Sequence, residues 1–174
     1  KTAVERGRKK VLLMGEDTFA YGVDIGTTII ELVEHLLFID STIDLYFGYL
    51  HIRWLKKYSQ EIRSLCRRGI LKELHIGIQH VDDEMLRKMG RPAVFSEIYD
   101  IIRTIKKECP GFYMVADILV GFPGETEEMF NKLLEFFKKD QCFNKVKHFG
   151  YSDVKGSVSY NYKDKISADT IAYR

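Results

Sequence analysis

The sequence predicts an α/β protein built on a parallel sheet, either open or curled into a barrel. Three observations carry this. Short β-type runs alternate with longer helical patterns along the chain, the order expected of strands joined by right-handed helical crossovers. "FYMVADILVG" (112–121) is apolar on both parities, as in a strand covered on both faces. Glycine or proline stops most runs, and no linker, repeat or low-complexity tract interrupts them, so residues 1–174 read as a single domain.

The elements follow in order. "KVLLMG" (10–15) is a compact apolar run ending at Gly15, and Ile29, Ile30, Leu32, Val33, Leu36 and Leu37 then form one helical stripe. "IDLYFGYL" (43–50) is β-rich and aromatic, and residues 53–69 form a charged amphipathic helix stopped by Gly69. "KELHIGIQ" (72–79) is the next strand, followed by a short helix over 82–90 that Gly90 and Pro92 break. Phe95, Ile98, Ile101, Ile102, Ile105 and Cys109 mark a helix over 94–109, ended by Pro110-Gly111. After strand 112–121 comes a helix from Glu125 to Lys139 with Met129, Phe130, Leu133, Leu134 and Phe137 as its buried stripe. "KVKHFGYS" (145–152) is the last strand, and Ser167 starts a final helix.

Composition narrows the function. Hydrophobic residues make up 45% and charged residues 30%, the balance of a globular chain and not a disordered one. A net charge of +2 does not by itself imply nucleic acid. Cys66, Cys109 and Cys142 are far apart and odd in number, which excludes a disulfide framework and suits a reducing cytoplasm. The apolar runs are too short for a membrane span, so no membrane partner is expected. The opening "KTAVERGRKK" has no methionine and reads as a piece of something longer.

Ligands of parallel sheets bind at the carboxyl ends of the strands. That singles out Gly15-Glu16-Asp17, Gln79-His80, Gly121-Phe122 and Tyr151-Ser152. In "MGEDTFAYG" a glycine admits a ligand to the backbone and adjacent acids suit an ammonium group, although an ordinary exposed loop would look the same. Arg91 suits a carboxylate, or is a solvated cation at a helix end. His80 is a rim residue or a hydrogen-bonded loop histidine. Asp117 is costly inside a doubly covered strand unless it is hydrogen-bonded or points into a polar barrel cavity.

"VLLMGEDTFAYGVDIGT", "HIGIQHVDDEMLRKMGR" and "ADILVGFPGETEEMF", in this order and at these separations, resemble the radical S-adenosylmethionine methylthiotransferases, which act on tRNA or a ribosomal protein. The resemblance runs from Lys10 to about Tyr160 and implies a partial TIM-like (β/α) barrel, here its strands two to six with the first strand missing. It implies S-adenosylmethionine as cofactor and a 4Fe–4S cluster on a Cys-x-x-x-Cys-x-x-Cys loop, where reductive cleavage gives a 5′-deoxyadenosyl radical. No such loop occurs in the chain, so the cluster ligands are expected upstream of Lys1 and the fragment alone is expected to be inactive. The resemblance maps Gly15, Glu16 and Asp17 to the methionyl amino group, Gln79 to the rim and Arg91 to the methionyl carboxylate. It maps Asp117 through Phe122 beside the adenosine. Tyr-Ser followed by Gly-Thr-Pro-Ala is usual at the last strand, where this chain has "YSDVKGSVSY".

The alternatives are another radical branch, coproporphyrinogen-oxidase-like or peptide-modifying, and a non-catalytic α/β binding module. An edge left open at "KVLLMG" is expected to invite self-association.

Overall fold

Each strand pairs only with its neighbours in the chain. A computed structural model describes residues 6–91 and 94–174. In it, β1 (Lys10–Leu13), β2 (Asp44–His51), β3 (Leu71–Gln79), β4 (Tyr113–Val120) and β5 (Lys145–Gly150) form one parallel sheet in the order β1-β2-β3-β4-β5. Between them lie α1 (Ile29–Ile39), α2 (Ile52–Lys57), α3 (Ser59–Arg67), α4 (Asp83–Lys88), α5 (Phe95–Glu108) and α6 (Glu127–Lys139), with α7 (Ala168–Tyr173) at the end. A sheet that never reverses its winding direction places its crossover helices on one face, as in a (β/α) barrel. The expected partial barrel is what forms, with β1 and β5 as open edges.

Side-chain parity agrees. Leu45, Phe47, Leu74, Ile76, Met114 and Ala116 pack with Val33, Leu55, Ile62, Ile98 and Ile102 of the helices. Ile118 and Val120 meet Phe130 and Leu133 of α6. The opposite, inner face carries Lys10, Tyr46, Glu73, His75, Asp117 and Lys147, a polar lining rather than a second core. β4 is buried along nearly its whole length, as its two-sided apolar pattern predicts.

Helix starts follow local chemistry. Thr28, Asp82, Thr126 and Ser167 each cap the N-terminus of a helix by accepting a backbone N–H through the side chain. The single helix expected over 53–69 is instead two, α2 and α3, divided at Tyr58. Tyr58 leaves helical geometry with φ −108° and ψ 17° while its ring, 5% exposed, packs on Phe19 and Trp54. Burying that ring outweighs helix continuity, which periodicity alone cannot reveal. Leu134 also departs from the expected stripe and is exposed. The last strand stops at Gly150, two residues early.

The Gly-Phe-Pro-Gly corner after β4 is fixed by a carboxylate. Glu125, 2% exposed, accepts the Gly121 N–H at 2.8 Å, bridging the corner. Gly121 and Gly124 have φ of 75° and 84°, where a side chain is strained, and a Cβ on Gly121 would run into Ile171 of α7. Arg174 binds Glu125 and Glu127 and lies over the Phe130 ring. His80, fully buried, accepts the Asp82 N–H through Nδ1, so its proton sits on Nε2, 3.4 Å from Glu125 Oε1. One carboxylate thus joins the β3 loop, the β4 corner and the terminal helix.

Removing one partner of such a buried charge cluster leaves the others uncompensated. Glu125→Ala is expected to cost about 3–5 kcal/mol in urea unfolding, against little for exposed Glu128→Ala. Equal midpoints for the two variants would contradict this. Among the described residues β1 pairs with β2 alone, and Leu12 and Met14 are 56% and 73% exposed. We propose that this edge pairs with other chains. Sedimentation velocity should show association that grows with concentration, and a monomer throughout would exclude it.

Candidate functional site

The carboxyl ends of β1, β2 and β3 converge on one group. Asp17, just past β1, accepts Arg53 Nη2 at 2.6 Å and Trp54 Nε1 at 2.8 Å through Oδ2. Its other oxygen, Oδ1, is buried without a partner. Arg91 folds back across β3 and donates Nη1 to the Gly77 carbonyl at 3.2 Å. Burial pulls the Arg91 pKa down, and the neighbouring Tyr49 and Asp17 oppose that pull. Gln79 has φ of 67°, the one positive value among described non-glycine residues, beside a register shift in β3. Strain of this kind collects at functional positions. Gln79 Nε2 donates to Tyr49 Oη at 3.1 Å.

Tyr49 is therefore central, and the sequence reading missed it. Its phenol lies over Gly77, where an added Cβ would meet the hydroxyl at 2.9 Å. His51 stands beside it: its Nδ1 accepts the Arg53 N–H at 3.1 Å, and burial with the nearby Arg91 and Arg53 pulls its pKa down to about 4. The imidazole is neutral at pH 7, with its proton on Nε2. Tyr49, His51 and Arg53 lie in "LYFGYLHIRWL", whose cluster of aromatic, histidine and arginine residues at a strand end was the available signal. Next to them, His51, Arg53, Lys56, Arg87 and Arg91 line a cavity of about 720 Å³, with Asp83 and Glu97 on its wall.

The other sequence-selected residues divide. Gly15 and Glu16 are exposed in the loop after β1, and Glu16 has no hydrogen-bond or ion-pair partner among the described residues. Asp117 lies further down the sheet on the inner face, 4% exposed, with Oδ1 unpartnered. Burial raises its pKa, and Lys147 and His75 partly offset this. Phe122 is 7% exposed, its ring edge-on to Tyr151 at 5.3 Å and Tyr162 at 6.0 Å, so it ties the corner to the loops after β5. The structure brings Asp17, Gln79 and Arg91 together, and sets Glu16, Asp117 and Phe122 apart from them.

Two groups can be tested against these residues. A methionyl amino acid fits, because Asp17 Oδ1 is a buried acceptor lacking a donor, while Arg91 uses Nη1 on Gly77 and has further N–H groups for a carboxylate. An iron–sulfur cluster does not fit the described residues. No three metal-ligating side chains gather among them. Cys66 and Cys142 are buried and Cys109 half-buried, and burial pushes the Cys66 and Cys142 thiols up, away from the thiolate a metal needs.

Asp117 also gives the fold a pH signature. Its folded pKa is raised, so the folded state holds the proton more tightly than the unfolded chain. Its contribution to stability is full below the ordinary aspartate range and is lost as pH rises through the raised value. Asp117→Asn should therefore gain stability over the parent chain between acid and neutral pH in chemical unfolding; a constant difference across pH would contradict it.

Comparison with known proteins bears on the family and the fold. The family model described as the radical SAM superfamily matches residues 1–137. A Pyrococcus horikoshii protein named "Probable threonylcarbamoyladenosine tRNA methylthiotransferase" is 33% identical over 164 residues, 94% of this chain and 38% of that one. The ribosomal protein uS12 methylthiotransferase RimO of Carboxydothermus hydrogenoformans is 34% identical over 168 residues, 95% of this chain and again 38% of the relative. The chain thus spans well under half the length of these relatives. The solved structure of Methanocaldococcus infernus Elp3 with an N-terminal deletion superposes with a TM-score of 0.61 at 16% identity, covering 91% of this chain and 41% of that one, a likeness of fold. No helix among the described residues is long and apolar enough to cross a membrane. By the match of the family model over most of its length, the chain belongs to the radical SAM superfamily.

Proposed function

We propose that the chain is the S-adenosylmethionine-holding core of a cytoplasmic radical SAM enzyme that methylthiolates a tRNA or a ribosomal protein. The observation that carries the reading is the presence together, at the strand ends of a chain of this family, of one unpartnered acid oxygen, Asp17 Oδ1, and a folded-back base, Arg91. Asp17 Oδ1 accepts from the ammonium of the methionyl group, and Arg91 donates to its carboxylate. Tyr49 Oη and Gln79 brace the Arg91 side of the site, and neutral His51 offers one N–H without adding charge. Gly15 leaves the backbone after β1 open to the ligand. S-adenosylmethionine, when bound, supplies a sulfonium that one-electron reduction cleaves. The 4Fe–4S cluster that delivers such an electron in this family needs ligands beyond those described, and no step is assigned to it.

For the target, tRNA is favoured over a ribosomal protein. Besides Arg91, the cavity beside the site presents Arg53, Lys56 and Arg87 against Asp83 and Glu97, a net positive lining of the kind that suits a phosphodiester chain. The uS12 relatives keep the protein target as the second reading.

Equilibrium binding tests the cofactor contacts. Asp17→Asn and Arg91→Gln should each weaken S-adenosylmethionine binding about tenfold to a hundredfold, the range for hydrogen bonds to charged groups. Tyr49→Phe should weaken it less, through a looser Arg91. Unchanged affinity in both charge variants would remove the site. The activity itself is tested in a polypeptide carrying a cluster loop, reduced without oxygen: 5′-deoxyadenosine and a methylthio mass increment on tRNA are expected. A cluster-loaded, folded protein that forms neither would leave a binding module.

A further inference from the structure

The amino-terminal end of the sheet, opposite Asp17 and Arg91, brings together two cysteines that are far apart in sequence. Cys66 lies in the last turn of α3, and Cys109 directly follows α5. Both line one cavity of about 380 Å³, whose walls include Leu71 at the start of β3 and Phe112 just ahead of β4. Glu108 holds the two helix ends against each other: it accepts Arg63 Nε at 2.9 Å and lies 3.5 Å from Arg67 Nη1. Cys66 belongs to the apolar core and Cys109 packs against it. Burial pushes the Cys66 thiol up, and the neighbouring Cys109 thiol pushes the same way. Gly69, with φ of 67°, turns the chain after α3, and Pro110-Gly111 turns it after α5, so neither helix runs on beyond its cysteine by more than one residue. The third cysteine is elsewhere. Cys142 is buried with its thiol 3.5 Å from Tyr99 Oη, and it takes no part in lining this cavity.

We propose that Cys66 and Cys109 are a redox-responsive pair that hydrogen peroxide converts to a disulfide joining α3 to α5. Cys109 reacts first. It is half-buried on the cavity wall, where Arg67 and Lys72 supply positive charge, while Cys66 is 8% exposed. The Cys109 sulfur, as thiolate, attacks one peroxide oxygen. The O–O bond breaks, an S–O bond forms, and the displaced oxygen leaves as water with the thiol proton. Cys66 then attacks the sulfenic sulfur; an S–S bond forms, the S–O bond breaks, and the hydroxyl leaves as a second water with the Cys66 proton. Two thiols lose two electrons, and one peroxide is reduced to two waters. The bond needs about 2.05 Å between the sulfurs, so the two side chains rotate toward each other across the cavity. The loop it closes holds β3, α4 and α5, and the link acts by restricting the unfolded chain. A dithiol reductant reverses it.

Peroxide treatment of the folded chain, followed by mass spectrometry of an unreduced digest, tests this. The Cys66 and Cys109 peptides should appear joined, two hydrogens lighter than their sum, with Cys142 still open to alkylation once the chain is unfolded. Free thiols should fall from three to one and return to three with dithiothreitol. The oxidised chain should unfold at a higher urea concentration than the reduced one, and Cys109→Ser should remove that shift. Cys66→Ser leaves Cys109 without its partner, and a 1,3-diketone probe should trap more sulfenic acid on it than in the parent chain. Near-ultraviolet circular dichroism confirms that each variant is folded. Three free thiols after treatment, a link made by Cys142, or sulfinic acid on Cys109 with Cys66 untouched would overturn the pair. So would a Cys66–Cys109 link that forms equally fast in urea, since the fold would then play no part in it.

Discussion

The constraint on which the rest of the molecule depends is the order in which its strands join. Each helix returns the chain to the next position on the same side of the sheet, so the winding never reverses. One face is thereby committed to helices and becomes the apolar core, and the other is left to curl around polar side chains. In a doubly wound sheet Asp117 would lie under a helix with no donor. Here it shares a face with Lys147, His75 and Glu73, and the acid inside an apolar strand becomes intelligible. The same winding sends every strand's carboxyl end to one rim, which is why loops far apart in sequence meet at Tyr49.

A second constraint holds the rim in shape. The Gly-Phe-Pro-Gly corner turns sharply enough to need two glycines in left-handed conformations, and such a turn is held by what lies around it. Glu125 closes it from within and is itself held by Arg174 and faced by His80, the three side chains all shielded from solvent. Phe122 completes the arrangement through Tyr151 and Tyr162. The corner motif is thus first a structural device. Its bearing on a ligand is to fix where β4 ends relative to β3 and β5.

Much of the fold was legible in the sequence because the relevant signals are local. Alternating runs, helical stripes and glycine or proline stops placed every strand and nearly every helix boundary to within two residues. What escaped was set by tertiary packing: the break at Tyr58 comes from a ring buried on Phe19, and no helical pattern encodes that choice. The site was legible in part. Asp17, Gln79 and Arg91 follow strand-end logic, since each closes or follows a run. Tyr49 lies inside a run that periodicity reads as plain strand and His51 just past it, and the role of Tyr49 emerges only when Gly77 on the next strand leaves it space. The pairing of Asp17 with Arg53 and Trp54 was likewise invisible, because it joins residues 36 and 37 positions apart.

The central claim is that the rim built on Tyr49 receives the amino acid end of S-adenosylmethionine. A crystal structure of the chain soaked with S-adenosylmethionine tests it most directly. The account predicts the ligand ammonium within hydrogen-bond reach of Asp17 Oδ1 and its carboxylate on the free N–H groups of Arg91, with the Gln79–Tyr49 contact kept. Ligand density elsewhere on the molecule, with the rim empty, would contradict it.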